Sequence, residues 1–128
     1  MKKEKLMNYW IDSAQYDYKA MNDLYKNKNF HWALFMGHLV IEKLLKAYYV
    51  KTKDKEPPFI HNLSRIAEKA ELPLTEAQLD ILDTITTFNI RARYDDYKLL
   101  FYKKCTPEFT KFWIEKIEDL IKWIKTKL

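Results

Sequence analysis

The chain has 128 residues, of which 48% are hydrophobic and 32% charged, with a net charge of +5. That is the length of one domain with enough apolar content for its own core, so a disordered chain is excluded. A single glycine and four prolines argue against a turn-rich all-β fold, and the lone cysteine, Cys105, excludes an internal disulfide and fits a reducing cytoplasm.

The first residues, Met1-Lys2-Lys3-Glu4-Lys5, are basic, but Asn8, Asp12 and Gln15 interrupt the segment after them. No signal peptide is expected there, and no stretch is apolar enough to span a membrane. Leu6, Trp10, Ala14, Met21 and Leu24 recur at helical spacing and predict a helix over about 5–26. Asn27-Lys28-Asn29 breaks it, with Asn29 as the expected cap of the next helix. That helix, over about 30–53, carries two apolar stripes. One is Ala33, Met36, Val40, Leu44, Ala47 and Tyr48; the other is Leu34, Ile41, Leu45 and Tyr49. Two stripes imply burial on more than one side, either as the central helix of a bundle or at a dimer interface. Gly37 lies inside it at a cost of about 1 kcal/mol, which a close helix–helix contact would offset.

A charged loop ending in Pro57-Pro58 comes next, then a short helix from His61 or Asn62 to Glu71. Thr75 and Gln78 form a capping-box pattern, and Leu79, Leu82, Ile85 and Phe88 continue that helix to about Ile90. The segment Arg91-Ala92-Arg93-Tyr94-Asp95-Asp96-Tyr97 lacks an apolar period and reads as a helix end followed by a loop. Thr106-Pro107-Glu108 starts the last helix, whose apolar face is Phe109, Trp113, Ile117, Leu120, Ile124 and Leu128. These elements predict an all-α protein, an antiparallel up-and-down bundle of about five helices spanning 1–128 as a single domain.

Few residues point to chemistry. One glycine rules out a Gly-rich phosphate loop. His31, His38 and His61 form no HExxH pair. His31 and His38 are seven apart on one helix face, but no carboxylate cluster accompanies them. No metal and no cofactor are therefore expected. Cys105 has no His or Asn nearby in sequence to activate it. The positive charge favours an anionic partner such as RNA, a nucleotide or an acidic protein, against the alternative of solvated lysine faces.

Three features stand out. Glu42 and Lys46 form an i,i+4 pair within the most apolar helix. His61 and Asn62 sit at a helix start, where they either cap it or face a pocket. Arg91, Arg93, Tyr94, Asp95, Asp96 and Tyr97 crowd into seven residues. Arginine's planar fork suits phosphate and tyrosine offers a stacking face, while an Arg–Asp network pinning the loop is the structural alternative.

Together these features resemble the HEPN family of prokaryotic helical-bundle proteins. The resemblance runs through Trp10…Ala14…Asp17, Glu42-Lys43-Leu44-Leu45-Lys46, His61-Asn62-Leu63 and Ala92-Arg93-Tyr94-Asp95. It implies a HEPN-like bundle that forms a homodimer and pairs with a small nucleotidyltransferase, frequently as toxin and antitoxin. Many members are metal-independent ribonucleases whose signature is an arginine, four to six residues, then a histidine. Here the corresponding positions hold Asp96, Tyr97 and Lys98 after Arg91, and Lys98, Leu99 and Leu100 after Arg93. The motif is not intact. The resemblance then implies a non-catalytic module binding a nucleotide, RNA or a nucleotidyltransferase partner through Arg91, Arg93, Tyr94, Asp95, Asp96 and Tyr97, with His61 and Lys46 nearby. A ribonuclease with an atypical site, and a structural subunit of a partner nucleotidyltransferase, are the alternatives.

Overall fold

Helical periodicity, punctuated by few breaks, sets the architecture. The computed structural model describes residues 2–128, except the side chain of Asp95. Among the described residues it contains six helices and no strand. They are α1 (Lys2–Lys26), α2 (Phe30–Lys53), α3 (Leu63–Lys69), α4 (Glu76–Arg91), α5 (Asp95–Lys104) and α6 (Pro107–Lys127).

The local start signals are met in side-chain hydrogen bonds. Asn62 Oδ1 accepts from the Arg65 amide at α3, and Thr75 and Gln78 close a reciprocal capping box at α4. Thr106 Oγ1 accepts from the Phe109 amide at α6, with Pro107 in the first turn. Asn29 is an exception to the expectation, for its side chain caps nothing. The turn is closed by the backbone instead. Lys28 adopts a left-handed φ of 65°, and the Asn29 amide donates to the Leu24 carbonyl at 2.8 Å.

Helix α2 is the central helix. Helices α1, α3, α4 and α6 all pack on it, so both apolar stripes are covered within one chain. Helix α1 runs antiparallel to it, with Met21 beside Gly37, Asp17 paired with Lys43 and Trp10 under Lys46. Helix α6 runs alongside α2 in the same direction: Ile117 meets Gly37, and Lys51 Nζ donates to the Lys127 carbonyl. The end of α3 is tied to the end of α2 by Thr52 Oγ1 donating to the Ala70 carbonyl, and α4 then returns to the start of α2. The four long helices alternate up and down. No helix among the described residues is long and apolar enough to cross a membrane.

The segment after Arg91 departs from the expected loop. It makes only a short turn before α5, a sixth helix, which Tyr94 opens in extended conformation. Only Phe101 and Cys105, four residues apart, enter the core from it. Its other apolar residues face outward, so the sequence carries no amphipathic period to detect. Cys105 is buried, and burial pushes its thiol up to about 11, so little of it is thiolate at neutral pH.

At Gly37, α2 approaches both α1 and α6 closely. A Cβ there would stand 2.6 Å from Ile117 Cδ1 and 3.3 Å from Met21 Sδ. Gly37→Ala is expected to cost about 1–2 kcal/mol, because overpacking outweighs the propensity gain. Combining it with Ile117→Val should recover part of the loss in denaturant melts. A Gly37→Ala protein as stable as the parent would show that α6 yields freely.

Candidate functional site

The buried polar residues of α2 fall on one line. Phe35, His38, Glu42 and Lys46 succeed one another at steps of three, four and four, which stack on a single helix face. Across that face lie the start of α3 and the end of α4.

Glu42 anchors the line. Its residue is 4% exposed, in the middle of an otherwise apolar helix. Such a carboxylate needs donors, and several groups surround it. Lys46 Nζ donates to Oε2 at 3.0 Å. His61 Nδ1 lies 3.0 Å from Oε1 and 3.2 Å from Oε2. His38 Nε2 is 3.7 Å from Oε1, too far for a hydrogen bond, and donates instead to the His61 carbonyl at 3.0 Å. Lys46 is itself buried, with its ammonium 5.3 Å from the Trp10 ring centroid.

The tautomers are set by these partners. A carbonyl only accepts, so His38 carries its proton on Nε2, and its buried Nδ1 has no partner among the described residues. Burial is the main force holding its pKa below the usual range. The His61 carbonyl and Glu42 act in the opposite sense, and His61 and Arg93 add to the lowering. His61 presents Nδ1 to a carboxylate and so donates from it. Its side chain is 64% exposed, leaving Nε2 toward solvent.

Arg93 marks the other end of the line. Its Nε donates to the Asn89 carbonyl at 2.9 Å and its Nη2 to Asn89 Oδ1 at 2.8 Å. The guanidinium lies 5.3 Å from the Phe35 centroid and 5.6 Å from that of Tyr94. Two of its five N–H groups are used in holding it, and among the described residues it makes no further hydrogen bond. Arg93 and His61 both bear electrostatically on His38, so the two arms share one neighbourhood.

The eight residues singled out in the sequence therefore divide. Lys46 and His61 meet at Glu42, while the Arg93 guanidinium lies near the rings of both Tyr94 and Phe35. Arg91 goes elsewhere: its guanidinium covers Phe101 at 4.7 Å, a packing role on α5. Asp96 and Tyr97 are exposed on α5, and the Asp95 side chain lies outside the described residues. Among the described side chains no carboxylate pairs with Arg91 or Arg93. Asn89 and Phe35 escaped sequence reasoning, and His38 was weighed only with His31, although the three-four-four line on α2 was a usable signal. His31 packs against Trp32 and Tyr102, away from Glu42. No group of three described His, Cys, Asp or Glu residues could hold a metal.

The fold and the site define an all-helical bundle with a charged line buried along its central helix. The chain belongs to the HEPN family, since the family model for the HEPN domain matches residues 7–127 of 128. Neither a curated protein nor a solved structure matches it.

Two outcomes test the line. Glu42→Ala should cost about 3–5 kcal/mol, because it strands the buried Lys46 charge, and replacing both residues with leucine should restore most of it. Denaturant melts measure both. His38 adds a pH dependence. Its folded pKa is depressed, so its stabilisation is full above about pH 6.5, the unfolded value, and is lost as pH falls below that. His38→Gln should flatten the stability difference between neutral and mildly acidic pH. An equal difference in parent and variant would place the sensitivity elsewhere.

Proposed function

We propose that this HEPN domain is a non-catalytic binding module that takes a phosphate-bearing ligand, a nucleotide or RNA, at Arg93. The observation that carries this is the braced guanidinium. Asn89 fixes its orientation from below, and Phe35 and Tyr94 flank it with aromatic faces. A fork held in place loses little entropy on meeting a phosphate. Tyr94, about half exposed, offers a face for a base. His61 adds an exposed imidazole along the same line, while Lys46 is buried on Glu42. The homodimer and the nucleotidyltransferase partner of a toxin–antitoxin-like pair belong to this reading, and they rest on the family resemblance alone.

Titration calorimetry with ATP and with a short single-stranded RNA tests it. Arg93→Ala should lower affinity about ten- to hundred-fold at unchanged melting temperature, the loss of charge-assisted bonds. Arg93→Lys should rescue little, since a point charge lacks the fork. Unchanged binding in a folded Arg93→Ala protein would remove the arginine from the site.

A second reading has its own observation. Glu42 holds His61 by Nδ1 and leaves Nε2 outward, the arrangement of a general base. Under that reading the domain is a ribonuclease with an atypical site. RNA cleavage by the purified protein, abolished in both His61→Ala and Arg93→Ala, would replace the binding proposal with it.

A further inference from the structure

The loop between α2 and α3, residues 54–62, is tied down at few points. Asp54 closes α2 by donating its amide to the Val50 carbonyl, and Asn62 caps α3. Between these two, among the described residues, only His61 makes hydrogen bonds. Pro57 and Pro58 have no amide to donate, and Phe59 is fully exposed. Pro57 and Ile60 pack inward, but apolar packing is non-directional and sets no orientation for the residue that follows.

Both polar holds on His61 come from one face of α2. Its Nδ1 donates to Glu42, and its carbonyl accepts from His38 Nε2 at 3.0 Å. His38 and Glu42 are one helical turn apart, so they grip His61 by its main chain and its side chain at once. A side chain held only at its tip swings with the backbone behind it. The hold on the carbonyl removes that freedom, so the ring meets Glu42 through Nδ1 and its Nε2 faces outward.

Histidine is a costly residue for this position. His38 is fully buried, its Nδ1 has no partner among the described residues, and burial holds its pKa down. A leucine there would leave no orphan nitrogen. What the imidazole supplies and a leucine lacks is the N–H on the His61 carbonyl. Glu42, at 3.7 Å, is too far to be its hydrogen-bond partner.

We propose that His38 is a positioning residue for the ligand site, acting through the main chain of His61 to keep that imidazole on Glu42 with Nε2 presented outward. His38 itself is buried and touches no ligand. The inference rests on the reading of His61 as part of the Arg93 site, whereas the positioning is measured without a ligand.

Long-range proton–nitrogen correlation spectra of the full chain, at about pH 8 and so above the usual histidine pKa, read the His61 tautomer. In the parent the proton should sit on Nδ1. In His38→Leu it should spread over both nitrogens. His38→Gln, whose side-chain N–H lies as many bonds from Cα, should restore the parent pattern. Titration calorimetry with ATP and with a short single-stranded RNA gives the second readout. His38→Leu should lower affinity about five- to ten-fold, the worth of about one hydrogen bond, and glutamine should recover it. His61→Ala should lose as much, and adding His38→Leu to it should lose nothing further, because the two act as one unit. Circular dichroism and melting temperature verify folding, and His38→Phe, a flat ring without a donor, replaces a leucine variant that does not fold. An unchanged His61 tautomer in the leucine protein would overturn the inference. So would a glutamine protein that behaves like the leucine one, or additive losses in the double variant. A lost tautomer with unchanged affinity would take His61 out of the ligand site and end the role given to His38. A parent that binds neither ligand would refute the Arg93 reading, and the tautomer would still decide whether His38 positions His61.

Discussion

Taking a carboxylate out of water costs several kcal/mol, and Glu42 bears that cost in the middle of the most apolar helix of the chain. It is tolerable only because Lys46 comes from the next turn and His61 from the start of α3. The surrounding geometry is bound to that requirement. His61 must reach Glu42, so the loop after α2 must bring α3 back over the same face. His38 then meets the His61 carbonyl, and α3 is fixed to α4 through Ser64 on Asp83 and the Leu63 amide on Thr86. One buried charge thus joins α2 to the start of α3, which α4 holds through two hydrogen bonds of its own. It does so by specificity more than by net stabilisation, since a well-packed apolar pair would fill the same space at similar cost.

The fold was largely legible in the sequence because its signals are local. The capping box at Thr75 and the Thr106-Pro107 start are written in adjacent residues and appear in the structure as read. The apolar stripes of α2 announced burial on several sides, and the neighbours that provide it are in the same chain. Asn29 illustrates the limit of propensity: a residue suited to capping stands at the right place, yet a backbone turn closes the helix. Helix α5 was invisible for a physical reason. A helix that buries only Phe101 and Cys105 has no amphipathic pattern to reveal it.

The site was only partly legible, because contacts between distant segments decide it. Glu42 with Lys46 is a helical neighbour pair and could be read directly. That His61 joins them, 19 residues away in sequence, depends on the path of the intervening loop. The Arg91-to-Tyr97 cluster looked like one unit, but helix geometry splits it. Arg91 and Arg93 are two residues apart and therefore point to different faces, one onto Phe101 and the other onto Phe35 and Asn89. Membership of the HEPN family sharpens this contrast. The bundle is the family's, while the positions where a histidine would come after the arginine carry no imidazole.

The shortness of α3 has a consequence of its own. Seven residues make fewer than two full turns, well under the length at which a helix holds itself together in water. Its persistence depends on Asn62, the contacts to α4 and the burial of Leu63, Ile66 and Ala67. Opening it would release His61 from Glu42 while the long helices stay folded. Lys46 would then be left as the hydrogen-bonding cation on the carboxylate. The charged line therefore has at one end a segment that only tertiary contacts hold and at the other a long helix. Withdrawing its imidazole arm would take from the buried carboxylate one of the donors it needs, so the cap and the buried face of α3 also keep that charge satisfied.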